Sequence, residues 1–166
     1  MTKENIIKAI LACDEQGGIA ANGSLPWPSN SKDIAWYKEN TKGHVIVMGS
    51  STWTAPDFPS PLPMRTNVLV TTRPDDYPGA HEYIQGDIAH QVCLVADAHV
   101  GLITWVIGGA EVISQTLDVI DEFYLSRIPG SYGCDTFLDV GAIEKQFDLV
   151  FQEVHPEVTF EIWKKK

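Results

Sequence analysis

Cysteine is scarce in this chain and poorly spaced for chemistry. The 166 residues hold three, Cys13, Cys93 and Cys134, an odd count without a CxxC pair. That fits reduced cytosolic thiols better than a disulfide framework or a cysteine zinc site. The five histidines, His44, His81, His90, His99 and His155, are scattered, so no metal is expected. Positive charge is also short: 12 Lys and Arg stand against 22 Asp and Glu, a net −10. This balance argues against nucleic acid or an anionic membrane as a partner, but a few local Arg residues suffice for an anionic small ligand. No apolar run is long enough to span a bilayer, and the start MTKENIIKAILAC lacks signal-peptide architecture, so a cytoplasmic location is expected. The nucleotide loops GxGxxG and GxxxxGKS/T are missing, as is the Gly-x-Ser-x-Gly elbow of a covalent nucleophile.

What remains is an ordinary globular composition, 44% hydrophobic and 20% charged, in a length that suits one domain over 1–166 with a real core. Ile6 to Cys13 reads as a strand that closes in the turn-rich Asp14-Glu15-Gln16-Gly17-Gly18. A loop runs through Asn22-Gly23 to Pro26 and Pro28 and enters a helix. His44 to Met48 is a buried strand, followed by Ser50, Ser51 and Thr52, good types to start a helical turn. Residues 56–63 hold four of the ten prolines and form a stiff loop. Asn67 to Thr72 is a third strand, and Tyr83 belongs to a short one. A helix is predicted over Asp87 to Ala98 with Ile88, Val92 and Val95 facing inward, and another over Glu111 to Val119. Leu102 to Ile107 is a strand broken by Gly108-Gly109, and Phe123 to Ile128 is a fifth clear one. Alternation through Phe147, Leu149 and Phe151, a turn near His155-Pro156, and alternation through Val158, Phe160 and Ile162 read as an antiparallel hairpin.

Alternating strands and helices imply an α/β fold, a mostly parallel sheet covered on both faces and ending in that hairpin. Ligands of such sheets sit at the carboxyl ends of the strands, which points to Asp14–Gly18, Gly49–Thr52, Thr72-Arg73, Gly108-Gly109 and Ser126. Small glycines, hydroxyls and free amides at helix starts suit a phosphate; glycine and serine also end strands for turn reasons alone.

The helix after Leu25-Pro26-Trp27 carries the most informative residue. Asp33 stands four positions before Tyr37, on one helical face with Ile34 beside them. An acid among an aromatic ring and an aliphatic is costly to bury unless something binds it. A flat ligand with a donor-rich edge fits: the carboxylate takes the edge and the ring walls the plane. Without its neighbours, Asp33 reads more readily as a first-turn acid that favours the helix dipole.

Several motifs, in order and over nearly the whole chain, resemble dihydrofolate reductases. ILACDEQGGIAANGSLPWP is similar to that family's first strand, mobile loop and Leu-Pro-Trp segment; VIVMGSSTW is similar to its second strand and cofactor helix. PLPMRTN resembles its substrate-anchoring loop, WVIGGAEVI its Gly-Gly segment and CDTF its late loop motif. The resemblance implies a mixed, mostly parallel eight-stranded sheet with about four helices. It also implies NADPH-dependent reduction of 7,8-dihydrofolate to tetrahydrofolate, a step that serves one-carbon metabolism and thymidylate synthesis. Asp33 falls on the pterin-binding carboxylate, with Leu25 and Trp27 beside the reacting ring and Ser126 on the hydroxyl that supports the pterin amino group. Ile10, Ala12, Ile34, Phe58, Leu62 and Ile107 match pocket walls, and Arg65 matches the arginine that clamps the glutamate α-carboxylate. Tyr37 occupies a position usually held by Phe.

On the cofactor side, Ala12, Ile19 and Ile107 match nicotinamide contacts. Gly49, Ser50, Ser51, Thr52, Gly108, Gly109, Ala110, Glu111 and Val112 match the segments around the pyrophosphate, and Thr72 and Arg73 those that read the 2′-phosphate. The Gly108–Gly109 bond is expected to be cis. Ser50 stands where the family commonly places Arg or Lys, Ile113 where it often has Tyr, and Ala20 and Cys134 where some members have Gly. The other tryptophans, Trp36, Trp53, Trp105 and Trp163, read as packing aromatics. A relative that reduces another pterin or a pyrimidine, and a folate-binding module without catalysis, are the alternative readings. No interface is demanded by any segment, so a monomer is expected.

Overall fold

The apolar runs become the middle of a twisted sheet in the computed structural model, which describes residues 5–166. In chain order the elements are β1 (Ile6–Cys13), β2 (Gly18–Ala20), α1 (Ser31–Thr41), β3 (Val45–Gly49), α2 (Ser50–Trp53), β4 (Thr66–Val70) and β5 (Glu82–Ile84). They continue with α3 (Ile88–Ala98), β6 (Ile103–Gly108), α4 (Ala110–Thr116), β7 (Glu122–Arg127), β8 (Thr136–Phe137), α5 (Val140–Gln146), β9 (Phe147–Val154) and β10 (Thr159–Lys165). Eight strands form one sheet in the order β5-β4-β3-β6-β1-β7-β10-β9. Strands β1, β3, β4, β5, β6 and β7 pair in parallel, and β10 runs antiparallel to both β7 and β9. The expected α/β sheet with its terminal hairpin is therefore present.

The central strands are apolar on both faces because both faces are covered. Val45, Ile46, Val47 and Met48 are fully buried and alternate between two clusters. Val45 and Val47 face Val92, Val95 and Ile113 of the α3 and α4 layer. Ile46 and Met48 face Trp53, Leu62 and Trp105. Helix α3 starts at Asp87, whose side chain accepts from the His90 amide, and buries Ile88, Val92 and Val95, the three positions expected to face inward.

Three details differ from the sequence reading. The helix predicted over Glu111 to Val119 ends at Thr116, and Leu117–Val119 tighten into a 3-10 turn. A fifth helix, α5, is capped by Asp139, which accepts from the Ala142 amide at 3.0 Å. Strands β2 and β8 form a separate two-stranded sheet. These pieces are two to seven residues long, too short to carry a periodic signal of their own.

Helix α1 behaves unlike α3. Asn30 caps it by accepting from the Asp33 amide at 3.1 Å, yet Thr41 is its one buried residue and Ile34 is 41% exposed. Trp36 and Tyr37 pack against core clusters from one side, while Ile34 and Tyr37 border a cleft.

The rim of that cleft is tied by Asp14, which is 1% exposed. Its carboxylate accepts from the amides of Gly18 (2.8 Å), Gln16 (2.9 Å) and Tyr132 (3.1 Å), with the Cys134 thiol at 3.4 Å. Burial works to raise its pKa, but the Gly18, Tyr132 and Gln16 amides together hold it below the usual Asp value. Asp14→Ala strands three amides and should cost about 3 kcal/mol or more. A thermal melt at pH 7 should show Tm lower by roughly 6–12 °C. The Asp14 contribution is complete above the ordinary Asp pKa and is lost as pH falls toward the lowered folded value. The gap between the two proteins should therefore close in acid.

Candidate active site

Parallel strands β1, β3 and β6 all end at one edge of the sheet, and the chain leaves each through small residues. A cavity of about 330 Å³ opens there. One wall comes from β1 (Ile10, Leu11, Ala12) and β6 (Ile107), another from α1 (Asp33, Ile34, Tyr37). Ser51 and Thr52 of α2, then Ala55 to Phe58, close one side; Gly109 and Ala110 of α4 close a second. The segment Ile19 to Leu25 and Thr136 form the mouth.

Asp33 sits half-buried in this mostly apolar wall. No Lys or Arg lines the cavity among the described residues. Burial raises the Asp33 pKa above the usual carboxylate value, and the nearby Ser126 hydroxyl opposes the shift. Ser126 lies on β7 in register with Ala12 and is 1% exposed; among the described residues its Oγ makes no hydrogen bond of ordinary length to a protein atom. The hydroxyl thus influences the carboxylate at longer range. Together they form a polar end to an apolar slot, able to meet a donor-rich ring edge.

The far end of α1 carries a cation. Arg65 Nε donates to Thr41 Oγ1 (3.1 Å), Nη1 to the Pro63 carbonyl (2.7 Å) and Nη2 to the Lys38 carbonyl (2.8 Å). Three of the five guanidinium N–H groups are thereby spent on fixing the plane, and one on each terminal nitrogen stays free for a carboxylate.

Opposite α1 the backbone suits an anion. Gly49 and Gly109, the residues before α2 and α4, have no side-chain cap on their helices' first amides. The two helix starts touch: a Cβ on Gly109 would lie 3.0 Å from Ser51 Oγ, and one on Gly108 3.3 Å from Thr52 Oγ1. The Gly108–Gly109 peptide is cis, as the resemblance implied. Uncapped amides, two hydroxyls and glycines that keep the cradle open fit a diphosphate.

The residues expected at the site divide by place. Leu25, Ile10, Ala12, Asp33, Ile34, Tyr37, Phe58, Ile107, Ile19, Ser51, Thr52, Gly109 and Ala110 all line the cavity. Leu62 is buried in the core cluster behind Phe58. Trp27 also lies behind the wall, 7% exposed, in the cluster of Ile128, Val158 and Phe160 and edge-on to Tyr132 at 6.1 Å. Gly49 is the last residue of β3, and a Cβ on it would meet Val112 at 3.1 Å. Glu111 is turned to Gln115, which donates to it at 3.1 Å, and Ser50 opens α2. Thr72 and Arg73 follow β4, where Arg73 Nε is 3.3 Å from Asp76 on an exposed turn. Sequence reasoning missed Leu11, Gly23, Ser24, Ala55, Pro56, Asp57 and Thr136 as lining residues. Thr136 was within reach through the CDTF motif, and Leu11, Gly23 and Ser24 through ILACDEQGGIAANGSLPWP; Ala55, Pro56 and Asp57 are loop positions outside every motif.

The family pattern described as dihydrofolate reductase matches residues 6–163. A type 8 dihydrofolate reductase of Escherichia coli is 28% identical over 164 residues, 96% of each chain. The dihydrofolate reductase of Heliothis virescens is 33% identical, over 93% of this chain and 88% of its own. Among solved structures, dihydrofolate reductase from Enterococcus faecalis complexed with NADP(H) and RAB-propyl superimposes with a TM-score of 0.83 at 26% identity, over 98% of both chains.

A carboxylate whose pKa is raised by burial destabilises the fold wherever it is ionised. Stability falls as pH rises through the interval from the ordinary Asp value to the raised folded value, and stays lower above it. Asp33→Asn removes that penalty. It should melt higher than wild type at pH 7, with the difference vanishing below the ordinary Asp pKa, as read by thermal melts across pH.

Proposed function

The chain belongs to the dihydrofolate reductase family and is an NADPH-dependent dihydrofolate reductase; we propose that Asp33 is its catalytic carboxylate and that α1 carries the folate. The observation that supports this most is a half-buried acid without a basic neighbour on an apolar wall. The amino-pyrimidine edge of dihydrofolate offers two parallel donors, which one carboxylate accepts in a fork. The same negative charge favours protonation of the ring nitrogen beside the carbon to be reduced. Leu25 and Ile19, at the mouth of the cavity, exclude water from the reacting ring. Trp27 acts as a positioning residue, since its ring belongs to the cluster of Ile128, Val158 and Phe160 against which the wall residue Ala12 packs. Ile10, Ala12, Ile34, Tyr37, Phe58 and Ile107 sandwich the ligand plane, with Leu62 supporting Phe58 from the core. Ser126 supports the pterin amino group through water, its hydroxyl having no protein partner among the described residues.

NADPH supplies the hydride when bound. Ala12, Ile19 and Ile107 would hold its nicotinamide against the pterin. Ser51, Thr52 and the Gly109 and Ala110 amides would hold its diphosphate, with Gly49, Gly108, Glu111 and Val112 shaping the cradle. Thr72 and Arg73 would face the 2′-phosphate, with Ser50 contributing a hydroxyl where a cation is common. Arg65 takes the substrate's α-carboxylate, a bidentate task that Lys would do poorly. No helix among the described residues is long and apolar enough to cross a membrane. The reading is completed by a single domain that acts as a cytoplasmic monomer, without a nucleic-acid partner, in keeping with the net charge of −10.

The test follows absorbance at 340 nm with dihydrofolate and either NADPH or NADH. Wild type should turn over with NADPH, and Asp33→Asn should lose about a hundredfold or more in kcat/KM. The wild-type rate should fall as pH rises through the raised Asp33 pKa, because the proton shared by acid and pterin is then lost; the variant should lack that limb. Equal rates in both proteins would remove Asp33 from the mechanism. Ser50→Arg should raise the NADPH-to-NADH ratio of kcat/KM by about three- to tenfold, the effect of one added charge-assisted contact.

A further inference from the structure

Helix α1 measures out the ligand. Asp33, Tyr37 and Thr41 stand at four-residue intervals on one face, and each interval rises about 6 Å. Thr41 Oγ1 donates to the Tyr37 carbonyl at 2.9 Å and accepts from Arg65 Nε at 3.1 Å. The carboxylate, the phenol and the guanidinium are thus strung in line, with Tyr37 midway. The pinned guanidinium cannot swing inward, because three acceptors hold it at the far end.

The Tyr37 ring lines the cavity together with Ile34 and Phe58. Phe would supply the same apolar wall. Among the described residues the hydroxyl donates to no protein group. Once a ligand displaces water from the slot, a phenol there is unfavourable unless the ligand offers it an acceptor. Burial pushes its pKa up to about 12, with Arg65 opposing, so it keeps its proton and remains a donor at every working pH.

We propose that Tyr37 is a specificity-determining residue whose hydroxyl donates a hydrogen bond to an acceptor oxygen on the benzoyl-glutamate half of folate. The tail is then recognised at two points, by Tyr37 at its middle and by Arg65 at its end. This rests on the assignment of Asp33 to the pterin and Arg65 to the glutamate. A pterin head without the tail reaches Asp33 but neither of the other two groups.

The experiment compares Tyr37→Phe with wild type by fluorescence titration against folate and against 6-methylpterin, which lacks the tail. The variant keeps the ring, and a thermal melt checks that it folds. Its Kd for folate should rise about three- to tenfold, the effect of one hydrogen bond, while its Kd for 6-methylpterin stays within about twofold. Equal losses for both ligands would place the hydroxyl on the pterin, and no loss for folate would leave it without a ligand contact; either overturns the proposal. Wild type that binds neither ligand would overturn the assignment of the site as well, so the two failures are distinguishable.

Discussion

Shared strand direction is the constraint from which the rest follows. Parallel neighbours β1, β3 and β6 must all deliver their chain to the same edge of the sheet. Their interior residues are buried on both faces and therefore apolar, as in the uninterrupted Val45 to Met48. Polar chemistry is consequently displaced to the strand ends. Ala12, Gly49 and Gly108 are small where the strands finish, and the backbone of α2 approaches that of α4 closely enough that a side chain at Gly109 would meet Ser51. The cavity is the space that this convergence leaves between the strand ends and α1.

Electrostatics then sets an unusual demand. A chain of net charge −10 has to hold two anionic small molecules in a cavity whose described lining contains no base. In the proposed reading, backbone amides at the starts of α2 and α4 carry part of this, and Arg65 and Arg73 serve from outside the wall. Asp33 on α1 is kept where burial penalises its charge. The fold accepts that penalty in the absence of ligand, as the binding role proposed for Asp33 requires. Asp14 is the contrast. It is more deeply buried than Asp33, yet three amides hold its pKa down and make it part of the scaffold.

That scaffold reaches the mouth of the cavity through two loops far apart in sequence. Asp14 accepts from Tyr132, Asp135 accepts from the Asn22 amide at 2.9 Å, and β2 pairs with β8. Substituting Cys134 for a smaller residue matters here. Its side chain crowds Gly18, where an added Cβ would come within 2.5 Å of Cys134, so the glycine in one loop and the cysteine in the other are matched in volume.

Local signals in the chain were enough for the long strands, for α3 with its inward Ile88, Val92 and Val95, and for the terminal hairpin, because periodicity over many residues is a property of sequence. They also sufficed to single out Asp33, since an acid one helical turn from an aromatic is conspicuous without coordinates. Short-range patterns could not show that α1 borders a cleft, that Trp27 lies behind the wall, or that Arg73 is drawn to Asp76. Nor could they reveal α5, the β2–β8 pair or the amides that converge on Asp14. The reason is physical. Helix and strand preferences are decided by neighbours along the chain, whereas burial, pKa and hydrogen-bond partners are decided by residues that meet only after the chain has folded.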